Sequence, residues 1–389
     1  MLIRHIAIKN ILSFDSDGIA LDLKKLNVLI GANGSGKSNF MEAISLLQSA
    51  PKYLASTVRE SGGISTWLFR GVQFPTGQIE VVTALSDSKQ YANIKHAISF
   101  REISNKFDLC DERIENSKPN SGELEPYFYY KFQKNHPVLN GAKGSRRTLE
   151  RVEIDPEQSI LSQIKDPGQY PEITELAKEY GKIKIYREWT FGRNAMPRLP
   201  QKSDERNDYL YENSNNLGLI LNKITTQPII KKKLIEKMRL LYPRFDDYGV
   251  NIEGGSVQVF FTEGNFTVPA TRLSDGTLRY LSLLAILLNP TKPSLLCIEE
   301  PELGLHTDIL PHVAELLKDA SEEMQIIVTT HSDVIVDALS DTPEDVIVCE
   351  NKQGFTAMNR LNSDDLKDWL EKYTLGQLWS MGEIGGNRF

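Results

Sequence analysis

The sequence predicts an α/β fold: a mixed sheet flanked by helices, with an inserted lobe of α+β and helical character. Three observations predict it. An apolar run, LNVLI at 26–30, stops at a glycine-rich loop that leads into a helical pattern. A second apolar run, SLLCI at 294–298, stops at paired acids. Between Val257 and Thr329 the order strand, helix, strand, helix, strand repeats, which is the signature of a parallel sheet with helices on its faces.

The first 30 residues read as strands around a turn. Ile6 and Ile8 alternate with Ala7 and Lys9, and Ser16, Asp17 and Gly18 supply the turn. A helix follows from Lys37 to about Gln48, with Phe40, Ile44 and Leu47 on one face. The middle is rich in aromatics, Pro and Asn and has no fixed-period repeat. We expect residues 86–255 to be an inserted lobe with helices at Ile173–Tyr180 and Gln227–Tyr242. The flanking head halves would then be 1–85 and 256–345, with 346–389 as a tail containing Trp369, Tyr373 and Trp379. In the second half, VQVFF and NFTVPA form a hairpin about Glu263-Gly264. A helix runs from Asp275 to Leu288, a strand covers Leu295–Ile298, a helix spans Asp308–Asp319 and a strand covers Gln325–Thr329.

Composition bounds the function. The chain has 389 residues and a formal net charge of −7, so its surface as a whole does not attract nucleic acid. The longest apolar run, Leu281 to Leu288, is far short of the roughly 20 residues of a membrane-spanning helix. MLIRHIAIKN alternates apolar and polar residues, unlike a secretory signal. Cys110, Cys297 and Cys349 are odd in number and far apart, so neither a disulfide framework nor a CxxC zinc pair follows. We expect a cytoplasmic protein with no membrane contact.

Four motifs carry chemistry. GANGSGKS at Gly31–Ser38 fits the phosphate-loop pattern. Its Gly31, Gly34 and Gly36, with Asn33 and Ser35, would turn backbone N–H groups toward phosphate oxygens. Lys37 would place a positive charge on the β and γ phosphates, and the Ser38 hydroxyl can hold Mg²⁺. The second motif, IEEPE, puts Glu299 and Glu300 at a strand tip. In a phosphate site Glu299 would hold Mg²⁺ and Glu300 would orient and deprotonate the attacking water. The third, LSDGTLR at 273–279, places Ser274 at a helix N-cap, where its hydroxyl and the Gly276 N–H could meet an anion. The fourth, TTHSD, puts His331 just past a buried strand, where it could sense a γ-phosphate by hydrogen bonding.

Together and in this order, the four motifs resemble the ABC-type ATPases of the SMC/RecF/OLD group, and the opening IAIKNILSF resembles that group's first strand and turn. The resemblance covers about 1–74 and 257–333. It implies a P-loop ABC-type head that binds ATP and Mg²⁺ and forms a homodimer, or a higher even oligomer, with ATP sandwiched between heads. Ser274 would contact the γ-phosphate held by the other head, Glu300 would be the base and His331 the switch. Asn10, Ser13 and Asn39 would lie near the nucleotide, and Gly304 and His306 near the dimer interface. The glutamine loop of the group falls on Gln73 or Gln78, and the sequence leaves both open. The signature departs from the group's LSGGQ in having Asp275 and Thr277.

The group's coiled coil is replaced by a stretch without heptads, and we expect no Toprim or HNH nuclease in the chain. It resembles a stand-alone head of the kind found beside a separately encoded nuclease or effector in bacterial anti-phage systems such as Septu. The ending DWLEKYTLGQLWSMGEIGG resembles the close of such ATPases. Three functions stay open: a defence ATPase controlling an effector, a RecF-like ATPase acting on DNA ends or gaps, and an ATP sensor with negligible turnover. Two basic stretches, Lys131 to Arg151 (with Lys134, Lys143, Arg146 and Arg147) and Lys178 to Arg206 (with Lys182, Lys184, Arg187, Arg193, Arg198 and Lys202), are candidate DNA contacts.

Overall fold

The computed structural model describes residues 1–85, 93–133, 136–190 and 192–386, without the side chains of 133, 143 and 151. A six-stranded sheet forms its centre, in the order Ile183–Tyr186, Leu295–Glu299, Gln325–Thr329, Leu26–Ile30, Val346–Lys352, Phe355–Arg360. The first five run parallel, and the last is antiparallel to its neighbour. Helices and a second sheet cover both faces, which is why the inner strands read as unbroken apolar runs.

The strand period of two divides these runs between two cores. Leu29, Cys297, Ile327 and Ile347 face one core, with Phe40 and Ile44 of the phosphate helix Lys37–Ser49. Val28, Ile30, Leu296, Ile298, Ile326 and Val328 face the other. That second core includes Leu281 and Leu284 of the signature helix Asp275–Leu287, and Val313 and Leu317 of the helix Leu310–Ser321.

An antiparallel eight-stranded sheet closes the first core. It runs Ile19–Asp22, Ile3–Lys9, Gly77–Thr83, Ile94–Ile103, Lys106–Asn116, Phe128–Gln133, His136–Asn140, Arg146–Thr148. A third sheet pairs Gln201–Lys202 and Asp247–Glu253 with Ser256–Glu263, which also forms the expected hairpin with Phe266–Pro269. The two helices expected in the middle are present as Pro171–Gly181 and Pro228–Leu241, each with proline in its first turn, where a missing N–H costs nothing.

The described part of the stretch expected to be an inserted lobe contributes strands to the two large sheets. Its strands from Ile94 to Thr148 lengthen the N-terminal sheet, and Ile183–Tyr186 becomes the edge of the central one. An open sheet edge presents unpaired N–H and C=O groups that take up the next strand, and local sequence does not say which edge a strand will join. Val346–Val348 pair in parallel with Val28–Ile30, and Trp379 is buried, its indole N–H donating to the Gly386 carbonyl at 2.8 Å.

Candidate nucleotide site

Because the five strands are parallel, their C-terminal ends share one edge, where ligands of open α/β sheets bind. Leu26–Ile30 delivers the phosphate loop there, Leu295–Glu299 the paired acids and Gln325–Thr329 the histidine segment. The phosphate helix starts with Gly36 in the left-handed region, at φ 96°. A Cβ at Gly36 would lie 2.0 Å from Thr356 Oγ1, so the loop's path against Phe355–Arg360 requires glycine. Lys37 is buried and its ammonium donates to the Gly31 and Ala32 carbonyls at 2.7 and 2.9 Å. Burial pushes this lysine below its ordinary range, and Glu300, Glu299 and Glu302 are among the groups opposing the shift.

The acids divide by environment. The Ser38 hydroxyl donates to Glu299 Oε2 at 3.4 Å, joining the helix start to the acidic strand. Glu299 Oε1 is buried without a hydrogen-bond partner, and Arg187 Nε lies 3.6 Å from it. Burial pushes the Glu299 carboxyl up, and the Arg187 guanidinium opposes the shift. Glu300 is a non-glycine residue at φ 46°, a conformation that persists where neighbours hold it. Its N–H donates to the Thr329 carbonyl at 3.0 Å, and its carboxylate lies 3.7 Å from His331 Nε2. Glu302 ties the two strand ends together, because its Oε1 accepts from the Thr330 hydroxyl and the His331 N–H, both at 2.7 Å.

The signature helix begins as expected from its N-cap. Ser274 is exposed and its Oγ accepts from the Thr277 N–H at 3.1 Å. A Cβ at Gly276 would come within 3.0 Å of the Gly304 carbonyl, so Gly276 and the Gly304 loop meet closely. Asp275, the departure from the group's pattern, has a structural use. It accepts from Arg198 Nη2 at 2.6 Å and from the Gly192 N–H at 3.1 Å, and the Arg198 contact holds its carboxyl below the usual range.

Residues 187–190 and 192–198, which the sequence offered only as a basic stretch, are part of this end of the molecule. Arg187 pairs with Glu42 of the phosphate helix as well as with Glu299. The Trp189 indole N–H donates to the Glu299 carbonyl at 3.0 Å. Arg279 of the signature helix stacks 4.0 Å from the Trp189 ring centroid and donates to the Glu300 carbonyl. Burial pushes Arg279 down to about 9. The local signal was the string YREWTFGRN, immediately after a short apolar run.

The remaining predicted residues fall on both sides of the loop. The Asn39 amide donates to Ser13 Oγ at 2.7 Å, and Ser13 Oγ is 2.6 Å from Thr356 Oγ1, so Ser13 sits on the phosphate helix's first turn. Asn10 is a strained corner at φ 53° whose amide donates to the Thr76 carbonyl at 3.2 Å. Gln73 and Gln78 are both exposed, Gln78 within the strand Gly77–Thr83 of the other sheet, and Arg187 occupies the place beside Glu299.

A family model described as "AAA domain, putative AbiEii toxin, Type IV TA system" (AAA_21) matches residues 26–337, most of the chain. The chain belongs to the AAA_21 family. Its fold is that of SMC heads. It is similar to an SmcHead bound to the C-winged helix domain of ScpA, at 16% identity and a TM-score of 0.58 over 94% of this chain and 99% of that one. It is also similar to an Smc head with an extended coiled coil bound to the C-terminal domain of ScpA, from Pyrococcus furiosus, at 13% identity and a TM-score of 0.56 over 96% and 99%. An Smc head domain with a coiled coil and joint, from Pyrococcus yayanosii, matches at 12% identity and a TM-score of 0.51 over 96% and 99%. The chain is thus an AAA_21 member whose fold is that of Smc heads. Among its described residues no helix is long and apolar enough to cross a membrane.

The basic stretches of this AAA_21 head are largely paired. Arg147 meets Glu153 at 3.0 Å, Lys178 meets Glu175 at 3.2 Å, Lys182 meets Glu179 at 2.5 Å and Arg206 meets Asp208 at 2.5 Å. Arg187 and Arg198 of the second stretch are engaged as well. Lys134 and the side chains of Lys143 and Arg151 lie outside the described residues.

Proposed function

We propose that the chain binds ATP with Mg²⁺, hydrolyses it, and uses the cycle to control a separately encoded effector, a nuclease in bacterial anti-phage defence. One observation carries the catalytic part: the phosphate loop, Glu299, Glu300 and His331 lie together at the C-terminal edge of one parallel sheet, with Ser38 3.4 Å from Glu299 and His331 3.7 Å from Glu300. The donor set fits Mg²⁺. Ser38 and Glu299 would hold it, and the buried, unbonded Glu299 Oε1 is an oxygen that a hard cation would satisfy. When bound, the ion neutralises charge developing on the phosphate oxygens.

The chain's own residues do the rest. Backbone N–H groups of 31–38 and the helix N-terminus orient the phosphates. Lys37, already drawn onto the loop carbonyls, is placed to exchange them for phosphate oxygens. Glu300 takes the proton of the attacking water, and His331 beside it reports on the γ-phosphate position. Ser274 is exposed at its helix start, which suits an acceptor on a second head. The defence role draws on the family description, which names a toxin and a type IV TA system.

The test is phosphate release. Glu300→Gln should lower turnover by about 10²–10⁴-fold while keeping nucleotide binding, and Lys37→Ala should weaken binding itself. Near-normal turnover in Glu300→Gln would reject the assignment. Purifying the trapped Glu300→Gln protein from its native host should bring down the effector; a nuclease is expected, and a preparation free of any second protein would reject the effector role.

A further inference from the structure

A polar cleft of about 440 Å³ runs along the phosphate helix beyond the phosphate loop. One wall is the helical stripe Glu42, Ser45 and Gln48, continued by Lys52, and the other is the edge strand carrying Lys184 with the segment 206–212. No residue of 31–38 lines it. Its size is that of small-molecule sites, which hold roughly 300–1,000 Å³.

The cleft's lining holds four acids, Glu42, Glu60, Asp208 and Glu212, and four bases, but among the described residues two of the bases, Lys184 and Lys52, have no acid beside them. Lys184 is half-buried, and its ammonium lies 4.4 Å from the Tyr209 ring centroid. Among the described residues no carboxylate comes within ion-pair distance of Lys184 or of Lys52. Asp208, the acid whose charge favours protonated Lys184, is held by both Nε and Nη2 of Arg206, at 3.1 and 2.5 Å. Burial pushes the Lys184 ammonium down, and the charge of Lys52 pushes it the same way. A half-buried cation facing a second cation is costly unless an anion joins them. Lysine is a compact point charge suited to phosphate, and the Tyr209 ring adds a flat face beside it.

We propose that this cleft is a second anion site that takes a small phosphorylated ligand, with Lys184 and Lys52 on its phosphate. The site is separate from the nucleotide edge but close to it, since Glu42 of its wall shares Arg187 with Glu299.

Equilibrium dialysis with labelled inorganic pyrophosphate tests this. The full chain is kept in excess Mg²⁺ and β,γ-imido-ATP, which fills the phosphate loop. The parent should bind one further anion, Lys37→Ala should bind it as the parent does, and Lys184→Gln should weaken it by roughly tenfold or more. Lys52→Gln removes an exposed side chain just past the helix, leaves the fold intact and should weaken binding in the same way. No pyrophosphate on the parent, or unchanged binding in Lys52→Gln, overturns the proposal. Binding that survives both lysine changes and falls in Lys37→Ala places the anion in the phosphate loop and also overturns it. None of these outcomes depends on whether ATP is hydrolysed.

Discussion

Glu302 joins the acidic strand to the histidine segment through a single oxygen, and its second oxygen is buried without a partner. Burial pushes its carboxyl above the usual range, so the native state binds its proton more tightly than the unfolded chain does. A raised carboxyl stabilises the fold below its unfolded value and loses that contribution as pH rises through the folded value. Glu302→Gln keeps an oxygen for both donors and cannot ionise. Its unfolding free energy should therefore fall less than the parent's as pH rises from about 4 toward neutrality, measured by urea melts across that range. Glu302→Ala leaves the His331 N–H and the Thr330 hydroxyl without their acceptor and should cost about 1–3 kcal/mol. Glu299, Glu300 and His331 were legible because the sequence sets each at the end of an apolar run. Glu302 was not, because its role is a bond to backbone 29 residues away.

At the scale of elements, the signature helix is coupled to the acidic strand by Arg279 and by residues 187–190 and 192–198. Arg279 stacks on Trp189 and donates to the Glu300 carbonyl, while Trp189 donates to the Glu299 carbonyl. A shift of the helix start therefore pulls on both acids. Arg279→Lys keeps the charge but loses the planar fork and the stack. We expect phosphate release to drop by about 10- to 100-fold, as for a misplaced catalytic group, with nucleotide affinity within a few-fold of the parent. Equal loss of affinity and turnover would mean that Arg279 serves the loop rather than the coupling. The phosphate helix and the signature helix were legible from a glycine-rich loop, an N-cap serine and apolar phase. The segment between Arg187 and Arg198 showed only the local string YREWTFGRN, because its partners Glu299 and Asp275 lie about 80–110 residues downstream. Phe355–Arg360 was missed for the same reason, although Thr356 packs on the phosphate loop.

The whole molecule is one central sheet between two cores, and this arrangement decides what a single head can do. Phosphate loop, acids and histidine share an edge, while Ser274 stands exposed at its helix start beside the Gly304 loop. Its hydroxyl is held by Thr277, at 2.7 Å from Thr277 Oγ1 and 3.1 Å from the Thr277 N–H, so it is fixed rather than free to swing. In the function proposed above, this fixed, exposed hydroxyl at a helix N-terminus donates to phosphate held by a second head, so the site is a composite formed by two copies. Mixing two inactive proteins tests it most directly. Ser274→Arg removes the hydroxyl donor and Glu300→Gln removes the base, so each homodimer is inactive at both sites. A mixed dimer holds one site with both residues intact. Phosphate release should rise when the two are combined and peak near an equal ratio. Activity that stays at the level of the separate proteins at every ratio would contradict the two-headed site.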